Sequence, residues 1–245
     1  VLLDKRSKVI LENPGLIGDG DNERVLLLKG KKLLISGSNV SNGNKLAFPG
    51  TNTVSGISIW LHVTNWCNLD CGYCYIFQKD GTHMSIDIAR KFVDKLEEAV
   101  ARHSLKLITI RFAGGEPTGN KKIVRFITGE INKRIASGGV KTQMVLITNG
   151  TMLSREWCGF LSDNHFRVCI SLDGVEKWHD NIRHFRNGVG SFNAVQRGIA
   201  FCEEFGLPLS ILTTITEQNV GGIPELSRYL IDRNLFFRYG LFRDN

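Results

Sequence analysis

The feature that most constrains the fold is a regular alternation of two kinds of segment from residue 57 onward. Short runs rich in β-branched residues predict strands, and the stretches between them carry apolar residues at helical spacing. The six predicted strands are ISIWLHVTN (57–65), KLITIRFAG (106–114), TQMVLITNG (142–150), FRVCISLDG (166–174), LPLSILTTIT (207–216) and FFRYGLFRD (236–244). Strands that alternate with helices form a parallel sheet covered by helices, so the sequence predicts an α/β fold.

Five helices are predicted between these strands, each with apolar residues on one face. Three of them begin behind a serine, which is a favoured N-cap residue. The predicted helices span roughly 85–100, 120–137, a shorter stretch after Ser154, 191–205 and 221–233, and the three capping residues are Ser85, Ser154 and Ser191.

The residues at the strand ends distinguish between two possible architectures. One is an open doubly wound sheet, and the other is a complete or partial β/α barrel. Five of the six strands end in small, polar or reactive residues: CNLDCGYC, AGGEP, TNG, SLDG and TTIT. Functional groups of β/α barrels cluster at the carboxyl ends of the strands, whereas an open sheet concentrates them at its switch point. The sequence therefore favours a partial (β/α)6 barrel over residues 57–245.

The two ends of the chain carry weaker patterns. Residues 1–56 include RVLLLKGKKLLISG, which can form a hairpin turning at Gly30, so we expect a small N-terminal β-rich extension. Its role is open, and one possibility is a peptide-recognition module. No helix is predicted after the sixth strand, which leads us to expect that a C-terminal part of the protein is missing.

Composition limits the class of protein and its partners. The chain has 245 residues, of which 42% are hydrophobic and 22% charged, and a formal net charge of +7. No apolar run approaches the length of a membrane span and no secretory signal is recognisable, so we expect a cytoplasmic protein without a membrane partner. No zinc-finger or RNA-binding signature is present, so we expect no nucleic-acid partner.

The six cysteines divide into two groups. Cys158, Cys169 and Cys202 stand singly in apolar segments, where a free cysteine is commonly a small buried side chain. The other three crowd into CNLDCGYC, residues 67–74. This second group calls for a different explanation.

Three thiolates on one loop select soft metals such as zinc or the iron of an iron–sulfur cluster. A structural zinc site closes with four ligands, and His62 or His83 can supply the fourth. A [4Fe–4S] cluster also takes four ligands, so three cysteines leave one iron open to a substrate or cofactor. We favour the cluster, with zinc as the alternative.

The motifs at the strand ends together resemble those of the radical S-adenosylmethionine (SAM) superfamily. They are C-x3-C-x2-C at 67–74, GGEP at 114–117, TNG at 148–150 and SLDG at 171–174. VEKWHDNIR after SLDG, and GVGSF at 188–192, resemble the peptide-modifying branch, which includes sulfatase-maturing and SPASM-type enzymes. The resemblance implies a partial barrel that holds a [4Fe–4S] cluster through Cys67, Cys71 and Cys74, with SAM on the open iron.

The resemblance also implies how the second strand end contacts SAM. The GGEP backbone would receive the methionyl amine, and Gly114 and Gly115 would permit the close approach because neither carries a Cβ. Glu116 would accept a hydrogen bond from the ammonium or brace the loop, and Pro117 would fix the turn. Taken alone, without the cysteines, GGEP is better interpreted as a simple β–α turn.

Other residues are assigned to SAM by the same resemblance. Tyr73 would pack beside the adenine, or simply under the loop. Ser171 and Arg183, twelve residues apart, would hold the ribose and the carboxylate. Asp173 would organise the turn or contact the ribose.

The activity implied by the resemblance is reductive cleavage of SAM to a 5′-deoxyadenosyl radical that abstracts hydrogen from a peptide or protein side chain. An external flavodoxin- or ferredoxin-like donor would supply the electron. The basic loop RHFR (183–186), with His179, can touch the peptide. Two alternatives stay open: a radical SAM enzyme acting on a small molecule, and a non-catalytic protein with a structural zinc or iron–sulfur site.

Overall fold

The computed structural model describes residues 55–76 and 79–242, and its centre is one parallel sheet. The six strands lie side by side in the order in which they occur along the chain. They are β1 (Gly56–His62), β2 (Leu107–Ala113), β3 (Lys141–Thr148), β4 (Arg167–Ser171), β5 (Leu209–Ile215) and β6 (Phe236–Leu241). The sheet order puts β1 and β6 at opposite edges, so the expected α/β fold and partial barrel are confirmed.

Six helices connect the strands: α1 (Ile86–His103), α2 (Lys121–Arg134), α3 (Arg155–Asp163), α4 (Lys177–Asp180), α5 (Phe192–Glu204) and α6 (Ile223–Asp232). Short 3₁₀ turns span Pro117–Asn120, Ala136–Gly138 and Val220–Gly222. Five of the helices match the predicted ones, and α4 is an addition whose single turn is too short to show a helical period.

The predicted N-caps are confirmed at two of the three positions. The Ser85 side chain accepts a hydrogen bond from the backbone N of Ile88, and Ser154 accepts one from Trp157. Ser191 makes no such cap bond, because its hydroxyl donates to the carbonyl oxygen of Arg183, 2.7 Å away.

The core lies between the sheet and its covering helices. Ile110 and Phe112 of β2 and Leu146 of β3 are fully buried against residues such as Trp157 of α3. Burying one such side chain stabilises a fold by about 1.5–3 kcal/mol, so the alternate residues of each strand fix which face meets the helices.

Two of the three isolated cysteines lie in this core as expected. Cys158 and Cys202 are fully buried. The expectation for Cys169 is wrong: it is half-buried, and its Sγ accepts a hydrogen bond from Ser210 Oγ at 3.1 Å. Its position in β4 turns it away from Val168 and Ile170, which face the helices, and onto the opposite face of the sheet.

That opposite face is the inner face of the partial barrel, and all six strands end at the same edge of it. The loops that follow the strands therefore meet at one mouth, as expected for a β/α barrel. Within the described residues, no helix is long and apolar enough to cross a membrane. The predicted N-terminal extension falls almost wholly outside the described residues, and the domain boundaries stay a prediction.

Candidate functional site

The three-cysteine loop follows β1 directly and is fastened to two neighbouring loops. The backbone N of Asp70 donates to the carbonyl oxygen of His184 at 2.9 Å, and Leu69 pairs with Phe185 in an isolated β-bridge. Lys79 Nζ donates to the carbonyl oxygen of Leu69 at 3.1 Å. The loop that carries the thiols is thus held from the side by the segment after β4.

All three thiols of this loop line one cavity of about 510 Å³, which we call the cysteine cavity. Cys67 is buried, and Cys71 and Cys74 are half-buried. Residues from the ends of other strands share its wall, among them Gly114, Gly115, Asn149, Ser171 and Arg183. With Thr214 of β5 and Gly240 of β6 also in the wall, all six strand ends contribute to the same space.

The donor set fits an iron–sulfur cluster in its chemistry, because thiolates are the usual protein ligands of iron in such clusters. In the part of the chain that the structure describes, no three His, Cys, Asp or Glu side chains converge where one metal ion would contact all of them. A cubane cluster takes each thiolate on a different iron, so its ligands do not need to meet at one point. His62 and His83 line a separate surface pocket.

Hydrogen-bond donors surround two of the thiols. Cys67 Sγ accepts from the backbone N of Leu69 at 3.4 Å and from Asn149 Nδ2 at 3.7 Å. Cys71 Sγ accepts from Arg183 Nη1 at 3.7 Å. Burial raises the pKa of the Cys67 thiol to about 11, so a metal would have to displace its proton on binding.

The GGEP segment runs against the start of the cysteine loop. Gly115 N donates to the carbonyl oxygen of Thr64 at 2.8 Å, and Glu116 N donates to that of Trp66 at 2.7 Å. A Cβ on Gly114, whose φ is +130°, would lie 2.2 Å from the Thr64 oxygen, and one on Gly115 would lie 2.3 Å from the Trp66 oxygen. The two glycines are needed for this close contact between neighbouring strand ends.

Glu116 is fully buried beneath the cavity and braces the loops. Its Oε1 accepts from the backbone N of Thr118 at 3.1 Å, from Thr118 Oγ1 at 2.7 Å and from Thr148 Oγ1 at 2.6 Å. Its Oε2 accepts from Asn149 N at 2.6 Å. Burial raises the carboxyl pKa, and these four hydrogen bonds oppose that rise. The bracing role is therefore visible, while a contact of Glu116 with an ammonium stays a prediction.

Asp173 and Arg183 form a buried ion pair beside the cavity. Asp173 Oδ2 lies 2.5 Å from Arg183 Nε and also accepts from the Tyr73 hydroxyl, while Asp173 Oδ1 accepts from Thr214 N at 2.8 Å. Both oxygens of Asp173 thus have protein partners, which supports its predicted role in organising the turn.

Arg183 uses all three guanidinium nitrogens on protein groups. Nε pairs with Asp173, Nη2 donates to the Tyr73 hydroxyl and Nη1 donates to Cys71. Tyr73 is held by the same contacts, and burial raises the pKa of its phenol. Arg183, Tyr73 and Ser171 all line the cysteine cavity, and their contacts with SAM stay predictions.

The proposed peptide contact of His179 is wrong because this side chain is fully buried. Its Nδ1 accepts from Asp173 N at 3.2 Å, and its Nε2 lies 3.0 Å from Ser191 Oγ. Since Ser191 donates to the Arg183 carbonyl, the proton of the neutral ring sits on Nε2. Burial lowers the pKa of His179 to about 3.

Sequence reasoning missed two asparagines that join these parts. Asn149, in TNG, contacts Cys67, Asn68 and Thr151. Asn219, which is buried, donates from Nδ2 to the carbonyl oxygens of Asp173 and Thr214, both at 2.8 Å. TNG was visible as a strand-end motif, but only the fold shows which thiol its side chain reaches.

The comparisons with known proteins agree with this geometry. The family model described as the radical SAM superfamily matches residues 61–230. The chain belongs to the radical SAM superfamily. The resemblance seen in the sequence is therefore confirmed.

Two curated relatives and one solved structure illustrate the similarity. The serine-type anaerobic sulfatase-maturating enzyme of Bacteroides thetaiotaomicron is 28% identical over 179 residues, covering 70% of this chain and 41% of that protein. Fe-coproporphyrin III synthase of Methanosarcina barkeri is 32% identical over 174 residues, covering 69% of this chain and 39% of that protein. Native anSMEcpe with bound AdoMet and Cp18Cys peptide has a TM-score of 0.69 at 24% identity, covering 76% of this chain and 51% of that one.

The chain spans about half the length of the curated relatives that it matches. The family match over residues 61–230 includes the cysteine loop, and the structural likeness establishes the fold.

Proposed function

We propose that the protein is a radical SAM enzyme that holds a [4Fe–4S] cluster through Cys67, Cys71 and Cys74. The observation that carries this proposal is that the three thiols of one C-x3-C-x2-C loop line a single cavity together with Gly114 and Gly115. With cluster and SAM bound, the chemistry supplied is reductive cleavage of SAM to a 5′-deoxyadenosyl radical that abstracts hydrogen from the substrate.

The chain's own residues would bind and orient these groups. The backbone of Gly114 and Gly115 faces the cavity and would receive the methionyl amine. Asn149 and Arg183 would donate hydrogen bonds to the sulfurs of Cys67 and Cys71, which tunes the charge on the ligands. Ser171 would contact the ribose.

Apolar side chains in the wall of the cavity would exclude water from the reactive species. They include Trp60, Leu69, Tyr73, Ile147 and Phe242. Exclusion of water prevents side reactions of a reactive intermediate, which a carbon-centred radical requires.

We infer that the substrate is a peptide or protein side chain. Sulfatase-maturating enzymes among the relatives, and a structural neighbour with a bound peptide, support this inference.

Cleavage of SAM consumes one electron, which an external flavodoxin- or ferredoxin-like protein would supply. The six cysteines are all free, which is typical of a reducing compartment, so we place the protein in the cytoplasm.

A second candidate function is radical chemistry on a small molecule, which the similarity to Fe-coproporphyrin III synthase favours. The core reaction with SAM would be the same. Identification of a short precursor peptide encoded beside this protein would favour peptide maturation.

The test of the proposed function is formation of 5′-deoxyadenosine from SAM by anaerobically reconstituted, dithionite-reduced protein. We expect product from the unmodified chain and from Cys169→Ala, which removes a thiol outside the loop. The triple variant Cys67→Ala/Cys71→Ala/Cys74→Ala is expected to lose both the bound iron and the product. Colourless protein that binds zinc after reconstitution would contradict the proposal and favour a structural site.

A further inference from the structure

The inner face of the sheet carries three arginines that have no carboxylate partner among the described residues. They are Arg111 of β2, Arg167 of β4 and Arg238 of β6, and none of them is within ion-pair distance of an Asp or Glu there. Arg111 is half-buried and its Nε donates to Ser58 Oγ at 3.2 Å, while Arg167 and Arg238 are exposed. The face is therefore strongly cationic.

The strand register places two of these charges, Arg111 and Arg167, close to each other, whereas Arg238 is level with Ser171, nearer the mouth. Arg111 and Arg167 both pair in register with Val145, one from each side of β3. Since neighbouring strands lie 4.7–4.9 Å apart, the two Cα atoms are separated by about 10 Å. Cations gathered at this spacing on a concave surface repel one another, and an anion bound between them relieves that repulsion.

A cavity of about 630 Å³ opens over this face, and we call it the floor cavity. All three arginines line it, together with Gln143, Ser210 and the ion pair of Arg233 with Glu203, whose charges offset each other. Guanidinium groups present planar pairs of donors that match carboxylates, and Gln143 adds a neutral hydrogen-bonding group. The floor cavity thus has the chemistry of a site for carboxylates.

The floor cavity adjoins the cysteine cavity. Arg238 and Leu212 line both of them. A ligand anchored by carboxylates in the floor cavity can therefore place another of its groups near the thiols, as a substrate of the radical would need.

We propose that the floor cavity binds the acidic side chains of the substrate, so that the substrate is a peptide segment rich in Asp or Glu. This inference rests on the proposed function and specifies its substrate class. Arg111 and Arg167 anchor the acidic segment, and Arg238 holds the end nearest the cysteine cavity.

The test measures binding of fluorescein-labelled hexaglutamate and hexaglutamine peptides to the anaerobically reconstituted full chain by fluorescence anisotropy. Two or three charge pairs on a partly enclosed face predict at least ~10-fold tighter binding of hexaglutamate at low salt. Binding is expected to weaken as salt is raised from 50 to 500 mM, since ions screen exposed charges.

The matched variants remove two arginines each. Arg111→Gln/Arg167→Gln is expected to weaken hexaglutamate binding about 10-fold. Arg102→Gln/Arg197→Gln removes the same charge from exposed positions on α1 and α5 and is expected to change binding less than 2-fold. An equal loss in both double variants would mean general attraction to a basic protein and would overturn the proposal.

Two further outcomes also decide against it. Equal affinity of the unmodified chain for the two peptides would overturn the acidic preference even if a variant failed to fold. Binding of coproporphyrin III without binding of hexaglutamate would assign the arginines to the carboxylates of a small molecule instead. Formation of 5′-deoxyadenosine by the unmodified chain is measured in parallel, so failure of the proposed function is recognised separately.

Discussion

Single buried polar residues hold the candidate site together, and Glu116 is the clearest of them. Its carboxylate accepts hydrogen bonds from groups that follow β2 and from the end of β3. Through Asn149 this network reaches the sulfur of Cys67. A change at Glu116 therefore acts on two strand ends and on one proposed ligand.

Glu116→Gln is expected to lower the free energy of unfolding by roughly 2–3 kcal/mol, because an amide NH2 would face donors where a carboxylate oxygen now accepts. The control Glu217→Gln changes an exposed residue and is expected to stay within ~0.5 kcal/mol of the unmodified chain. Urea titration measures both values. Equal stability of the two variants would contradict the bracing role.

His179 makes stability depend on pH. Burial lowers its pKa from the ordinary 6.5 to about 3 in the folded chain, so the unfolded state takes up this proton first. The contribution of the neutral buried ring to the free energy of unfolding is fully present above pH 6.5. It is lost as the pH falls from 6.5 toward 3, by about 1.4 kcal/mol per pH unit well below 6.5.

We expect His179→Gln to remove this dependence between pH 7.5 and 5.5, where solvent-exposed carboxylates titrate little. His103→Gln changes an exposed histidine at the end of α1 and is expected to keep the slope of the unmodified chain. Urea titrations across the range measure the slopes. A slope unchanged in His179→Gln would show that other groups cause it.

At this scale the sequence predicted residue types better than residue partners. Gly114 and Gly115 were predicted to allow close approach, and their neighbours turn out to be backbone oxygens of the cysteine loop. His179 was misjudged because its partners, Asp173 and Ser191, meet only once the segment after β4 has folded. The spacing of residues along the sequence does not predict such a contact.

At the scale of elements, the contact between the β1 and β2 loops sets the mouth of the barrel. GGEP packs against Thr64 and Trp66 so closely that no Cβ fits at the two glycines. The cysteine loop is fixed on its other side by the segment after β4, through Leu69 and Phe185. The thiols therefore depend on two neighbouring elements for their positions.

Gly115→Ala is expected to lower the melting temperature by several degrees, because its Cβ would lie 2.3 Å from the Trp66 carbonyl oxygen. Relief of this clash requires a shift of the backbone, which is destabilising. Gly129→Ala is the control: it lies in α2 with no atom within 4 Å of the added Cβ, so it is expected to stabilise by about 0.5–1 kcal/mol. Differential scanning calorimetry measures both. A neutral Gly115→Ala would contradict the close packing of the two loops.

The elements themselves were largely predictable. The alternation of β-branched runs with helical spacing predicted every strand and the five longer helices. The predicted and observed boundaries differ by a few residues, because the ends of strands are not sharply separated from the loops that follow. Ser191 was misassigned as a cap because a serine before a helix can also serve a tertiary contact, as it does with His179. Sequence reasoning also omitted α4, whose four residues lack a period.

At the scale of the whole molecule, the parallel sheet brings all strand ends to one mouth and leaves a cationic inner face below it. The mouth was predictable, because five of the six strands end in small, polar or reactive residues. The floor cavity was not, since Arg111, Arg167 and Arg238 are isolated arginines in the sequence. Strand register makes neighbours of Arg111 and Arg167, and the curvature of the sheet brings Arg238 to the same cavity.

The central claim is that three cysteine thiolates hold a cluster whose fourth iron accepts SAM. Its most direct test is electron paramagnetic resonance of the reconstituted, dithionite-reduced full chain with and without SAM, together with iron and sulfide analysis. We predict about four irons per chain and a reduced-cluster signal whose g-values shift when SAM is added. Absence of iron, or a signal that SAM leaves unchanged, would contradict the claim.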